Sequence, residues 1–229
     1  MNESAARHRR NAAKALLLVA MLAACSSVEV PREQYYRLDV PQASEPDPGR
    51  AGVLRVHDLQ LGTSLASDCL LVQDGVHVVP RPQQRWIAPL DRLVTDALVL
   101  GLSRARVCDL VKGGADAGDE NWSLHGRIVD FAESRGEQGP EARVTLELWL
   151  LAHDQLVFHD EFAVKEPLEG SGADAAVAGL SHGLQQVVVG VVGRMQKTGM
   201  FAAVRPTPAR TPATTPAPTP ASTPATAPR

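Results

Sequence analysis

No apolar run in this chain reaches the roughly 18 residues that would mark a bilayer-spanning helix. A basic excess is also missing. Lys and Arg number 23 against 26 Asp and Glu, a net charge of −3, which argues against nucleic acid as a partner because such binding rests on basic surface. Cysteine is scarce. Cys25, Cys69 and Cys108 are the three, and no CxxC or Cys/His spacing offers a metal site. Catalytic signatures are absent as well: there is no GxSxG, no HExxH and no P-loop. The acidic loop at 112–121 lacks the alternate ligands and closing Glu of a calcium loop. His57-Asp58 and His159-Asp160 are sequence neighbours, and neighbours on a strand point to opposite faces. Neither pair makes an acid–base couple by itself, and both read as polar residues on the wet face of a sheet. These absences leave a protein without a catalytic group, cofactor or metal of its own.

What is present begins at the start of the chain. Arg7, Arg9, Arg10 and Lys14 form a positive segment, followed by ten apolar residues at 15–24. That size and those flanks fit a secretory signal peptide, not a membrane span. The run ends in Leu22-Ala23-Ala24-Cys25, which resembles a bacterial lipobox. In such proteins the chain is cut before the cysteine, the sulfur takes a diacylglycerol and the new amine is acylated. Cys25 is therefore the expected lipidation site. Three acyl chains hold a protein far more firmly than one, which binds only marginally.

Cleavage at Cys25 removes four basic residues and one acidic residue, so the mature net charge becomes −6. Residues 25–33 read as a lipidated tether. Ser26, where an aspartate would favour inner-membrane retention, points to the outer membrane and a periplasm-facing domain. Residues 205–229 are Pro/Thr/Ala repetition, a composition that stays extended and disordered. What remains, residues 34–204, is long enough for one domain with a real core. With Cys25 acylated, Cys69 and Cys108 are an even pair in an oxidising compartment. They either form a disulfide or stay separate as small buried apolar side chains.

Along that domain, residues 34–40 read as a strand ended by Pro41, and 41–52 as a loop rich in Pro and Gly. Residues 53–59 alternate as a strand does. Residues 70–79 form two short strands about Asp74-Gly75, a hairpin dipeptide, with Pro80 and Pro82 closing the pair. Pro89 suits the first position of a helix over 89–102. Leu90, Leu93, Val94, Ala97, Leu98 and Gly101 line one of its faces. Trp86, just before it, is either an anchor packed over the helix start or, with Arg85, a partner contact. A strand at 105–111 follows.

Residues 122–131 and 143–152 are two long strands, joined by a loop with Gly136, Gly139 and Pro140. Residues 156–164 return antiparallel. A register in which paired numbers sum to 308 sets Val144 against Val164, Leu146 against Phe162 and Leu150 against Phe158, with a loop at 153–155. Its misfit is Leu148 opposite Asp160, where a bulge or an edge exposure is expected. Residues 173–197 form a second helix whose Gly179, Gly183, Gly190 and Gly193 each cost roughly 1 kcal/mol against Ala. Close packing on a sheet explains them better than a membrane GxxxG contact, because Ser181, His182, Gln185, Gln186 and Arg194 interrupt the apolar surface. The fold class is α+β: one domain, a mostly antiparallel or mixed sheet, two main helices packed on it.

The order of these parts carries a resemblance. The lipobox is followed by Tyr35-Tyr36-Arg37-Leu38, the 53–59 strand, a strand pair leading to Arg85-Trp86, a helix opened by Pro89-Leu90, a sheet and a last helix. This resembles the ABC-type transport auxiliary lipoprotein family, which includes the PqiC lipoproteins. Ile87-Ala88 departs from the common Ala-Glu-like pair, and the Pro/Thr/Ala tail is no part of the pattern. The resemblance implies an outer-membrane lipoprotein that docks a mammalian-cell-entry (MCE) domain protein and an ABC transporter in lipid transport. It also implies rings of copies. Competing expectations are an assembly factor or structural plug for another outer-membrane machine and, lowest, a periplasmic hydrolase that would need a clustered Ser/His/Asp.

Overall fold

The computed structural model describes residues 32–39, 52–65, 68–114, 120–136 and 139–198. The expectations for the signal peptide, Cys25, most of the tether and the tail lie outside these residues. The organising element is β7 (Trp122–Gly136). Its one edge pairs antiparallel along its whole length with β8 (Gly139–Ala152). Its other edge is divided among three short parallel strands: β2 (Val53–Val56), β3 (Gln60–Leu61) and β4 (Cys69–Asp74). Beyond β2 lies β6 (Leu110–Gly113), and beyond β4 lie β5 (His77–Trp86) and then β1 (Gln34–Tyr36). On the far side of β8 runs β9 (Gln155–Pro167), paired only with β8 among the described residues. The result is a nine-stranded mixed sheet, in a single α+β domain.

Both helices lie on one face of it. α1 (Leu90–Arg104) buries Leu90, Val94, Ala97, Leu98, Gly101 and Leu102. Pro89 stands one position earlier than expected, as the extended cap residue with φ −51° and ψ 136°. Its carbonyl accepts the Leu93 N–H at 3.0 Å, the first helical bond. Thr95, buried on the same helix, accepts the Leu59 N–H at 3.1 Å and donates to the Asp91 carbonyl at 2.7 Å, which ties the segment after β2 to the helix. α2 (Ala173–Lys197) has the expected bounds and is long and apolar enough to span a bilayer, yet its apolar stripe is buried on the sheet. A Cβ at Gly179 would come within 3.0 Å of Ala142 Cβ, and one at Gly183 within 3.0 Å of Val144 Cγ2. Those glycines let the helix lie close on β8, as their spacing suggests. Gly101 does the same for α1 against Val188 of α2.

The 308 register holds from Val144↔Val164 through Leu150↔Phe158. No bulge forms at Leu148↔Asp160. Asp160 stands on the outermost strand and is met by the Arg194 guanidinium from α2, which also lies 5.5 Å over the Phe158 ring. The irregularity comes instead after Leu150, so the closing pair is Ala152↔Gln155 and the turn is His153-Asp154, two residues at φ 45° and 65°. Three further expectations need correction. β5 does not stop at Pro80 but runs through Pro82 to Trp86. β1 covers only Gln84–Trp86, so among the described residues the prolines sit on an open edge, where a missing N–H costs no ladder bond. β7 and β8 extend past the expected loop and meet at Gly136↔Gly139. The strand expected at 105–111 is confined to Leu110–Gly113.

Strand directions define two ends of the domain. At one end lie the β4–β5 turn, the β7–β8 connection and the start of α2. At the other lie the β8–β9 turn and the end of α2.

Candidate functional site

The face of the sheet away from the helices carries an organised set of side chains. Alternation along each strand puts residues with even numbers on the helix side of β8 and odd ones outside: Leu146, Leu148 and Leu150 are buried, while Thr145, Glu147, Trp149 and Leu151 are half-buried. His125 of β7, Trp149 of β8 and His159 of β9 are direct cross-strand partners. Their rings form a row. His125 lies parallel to Trp149 at 6.1 Å between centroids, and His159 meets Trp149 edge-on at 5.7 Å. His57, held beyond β2 by its N–H to the Leu124 carbonyl at 2.8 Å, stacks on His125 at 3.9 Å. Four rings thus cross the sheet from β2 to β9, near the end that holds the β8–β9 turn.

A polar row runs beside them. Arg127 donates to Glu147 at 2.5 Å, and the His159 Nε2 lies 2.9 Å from the other Glu147 oxygen. The hydrogen bond to His159 first, and that to Arg127 second, hold the Glu147 carboxyl below its usual range. With Gln60 and the exposed Leu156, these side chains line an open groove of about 420 Å³. Burial, with the Arg55 charge second, lowers the His57 pKa; burial and the neighbouring His57 lower that of His125. Both shifts favour the neutral form of the stacked pair. Because both folded values lie below the unfolded one, the contribution is complete above the ordinary pKa of 6.5 and is lost as pH falls through the depressed values. The urea midpoint should therefore drop between pH 7 and pH 5. In a His57→Gln/His125→Gln variant the drop should be smaller, and an unchanged pH slope would rule out the pair as its source.

Ser123 Oγ lies 3.2 Å from His125 Nε2, but no carboxylate among the described residues completes a Ser/His/Asp arrangement there. The described residues also hold no group of three or more His, Cys, Asp or Glu able to bind a metal. What the face can do is stack and hydrogen-bond against another surface.

The residues singled out from the sequence lie elsewhere. Trp86 is 4% exposed and meets Phe131 edge-on at 5.9 Å. It is the core anchor and presents no surface to a partner. The partner-contact expectation is corrected for this residue, because period-two alternation turns Trp86 inward and leaves Arg85 outward. Arg85 pairs with Asp68 and, at 3.5 Å, with Glu33, which fastens the chain before β1 to β5. Cys69 and Cys108 are buried and unbridged. The sheet explains why no disulfide joins them: β7 and β2 separate β4 from β6. Burial pushes the Cys108 thiol up to about 11. Sequence reasoning missed the ring row, although the 308 register already sets Trp149 against His159.

The model of the family described as "ABC-type transport auxiliary lipoprotein component" matches residues 36–192. The chain belongs to that family. Solved structures agree on the fold. Protein XCC0632 from Xanthomonas campestris is 20% identical, with a TM-score of 0.64 over 72% of this chain and 96% of its own. An uncharacterized protein of known structure is 21% identical, with a TM-score of 0.60 over 72% of this chain and 99% of its own. No curated protein matches the chain in sequence. Family membership makes this chain an auxiliary component of ABC-type transport, and the ring face is a feature of its own sheet.

Proposed function

We propose that the protein is an outer-membrane lipoprotein, acylated at Cys25, that faces the periplasm and docks the MCE component of an ABC-type lipid transport system. The observation that carries this reading is the ring row. A face on which neither described helix lies, bearing three imidazoles and an indole with a polar row beside them, suits a protein partner, since aromatic side chains dominate the energetic centres of interfaces. Its position supports the same reading. The row lies near the end of the domain opposite the one from which the N-terminal chain arrives at β1, because β1 and β5 are parallel. A domain held at the bilayer by its first residues would turn this face toward the periplasm. Lipid itself would pass through the partner, with the lipoprotein as the fixed docking point.

Crosslinking in intact cells followed by capture of the mature lipoprotein tests this. An MCE-domain protein should be recovered with the native chain and lost with Trp149→Ala/His159→Ala, whose urea midpoint should stay close to the parent's. Recovery of an outer-membrane barrel alone, or of nothing above a Cys25→Ser control, would overturn it.

A further inference from the structure

The turn between β4 and β5 carries an apolar surface that none of the described residues covers. Val76 is 92% exposed, Val79 53% and Val78 44%. From Gly75 to Pro80 the sequence has no Asp, Glu, Lys or Arg. Gly75, at φ 58°, makes the tight reversal that lets the two strands project as a narrow tip. Val78 and Val79 point to opposite faces of the hairpin and Val76 stands at its end, so the tip is apolar on both sides, with the exposed Asp74 and His77 as its polar residues.

The chain before β1 says what it meets. β1 runs parallel to β5 with Gln34 level with Gln84. The chain therefore approaches Gln34 from the side of the tip, and Glu33 is held there by Arg85. Seven residue steps separate Arg32 from Cys25, as many as separate Pro82 from Gly75. Seven steps reach at most about 25 Å, and seven strand residues span roughly 23 Å. The anchor's reach and the distance to the tip match.

We infer that the β4–β5 tip is a second, reversible membrane contact: Val76, Val78 and Val79 rest in the interfacial region of the phospholipid leaflet that holds the acyl chains. Acylation alone fixes a point and leaves the domain free to swing. A second contact on the same end fixes its tilt, and so aims the ring face away from the bilayer. The inference rests on acylation at Cys25, and the experiment separates the two.

The acylated full-length mature chain carrying Val76→Cys, labelled with an environment-sensitive fluorophore, is reconstituted into phosphatidylethanolamine/phosphatidylglycerol vesicles. Gln155→Cys, beside the β8–β9 turn, is labelled as the opposite-end control; Cys69 and Cys108 are buried and stay unlabelled. The expected result is a blue-shifted emission at position 76 that spin-labelled lipid quenches, with a water-like emission at 155. If the protein floats with the vesicles while position 76 reads as wet as 155, the tip contact is overturned and the anchor stands. A blue shift that persists without lipid would mean that a second copy covers the tip, and would overturn the inference too. Failure to float at all would overturn the anchor and the inference together.

Discussion

Trp86→Ala should lower the stability of the folded chain by about 3–5 kcal/mol, read as a large drop in the urea midpoint. The indole is buried at the junction of three elements. It ends β5, is separated from α1 by three residues, and sets its ring edge against Phe131 of β7. Its backbone N–H donates to the Asp68 carbonyl at 2.8 Å, and the next N–H, of Ile87, donates to the Tyr36 carbonyl at 2.8 Å. The ring thus sits where β1, β4 and β5 are stitched together, and the hole left by alanine has rigid walls of sheet on its sides. Walls that cannot collapse put the cost near the top of the range for such truncations. Arg85→Ala is the internal comparison. Its side chain is half-buried, but its pairs are with exposed carboxylates, and such pairs contribute little to stability. The midpoint of Arg85→Ala should stay near the parent's. Loss of partner capture in Trp86→Ala with an unchanged midpoint would mean that the indole meets a partner after all.

The second large effect is expected at Gly126. This residue lies on β7 directly opposite Leu148 of β8 and is turned toward the helices. A Cβ there would fall 2.7 Å from the Glu147 carbonyl oxygen and 3.0 Å from Leu59 Cδ2, and would overlap the Leu148 side chain. The leucines can rotate, but the carbonyl belongs to the β7–β8 ladder and can move only if the pairing opens. Gly126→Ala should therefore cost about 1–3 kcal/mol, and Gly126→Val more, by the usual penalty for overfilling a packed interior. The site should suffer as well. Gly126 is flanked by His125 and Arg127, and Leu148 by Glu147 and Trp149, so any opening here disturbs the ring row and the polar row together. The measurement is the urea midpoint of each variant alongside partner capture. A Gly126→Ala chain as stable as the parent would show that the ladder gives more easily than its geometry suggests.

Much of this fold is local, and that part was legible. The 3.6-residue repeat of apolar positions within 173–197 located α2 to the residue, and Gly179, Gly183 and Gly190 told that something would press on it, whereas a Cβ at Gly193 would meet nothing within 4 Å. The 308 register followed from the need to set apolar residues against one another across a short connection, which leaves few alternatives. The misplaced features have equally physical causes. Pro80 and Pro82 read as strand breakers because the sequence does not say that the edge beside them is open. Gly136, Gly139 and Pro140 read as a loop because nothing local shows that β7 and β8 pair almost to their junction.

The sequence by itself determined the α+β class, the two helices, the β8–β9 hairpin and the order of parts that marks the family. All of these rest on periodicity or on contacts between near neighbours in the chain. Only the tertiary structure decided that β2, β3 and β4 share one edge of β7, that the cysteines stay apart, and that Trp86 is turned inward. It also decided that His57, His125, Trp149 and His159 meet across four segments of chain. Alternation says that a residue faces one side or the other; which strand lies alongside is settled by packing the whole apolar face at once.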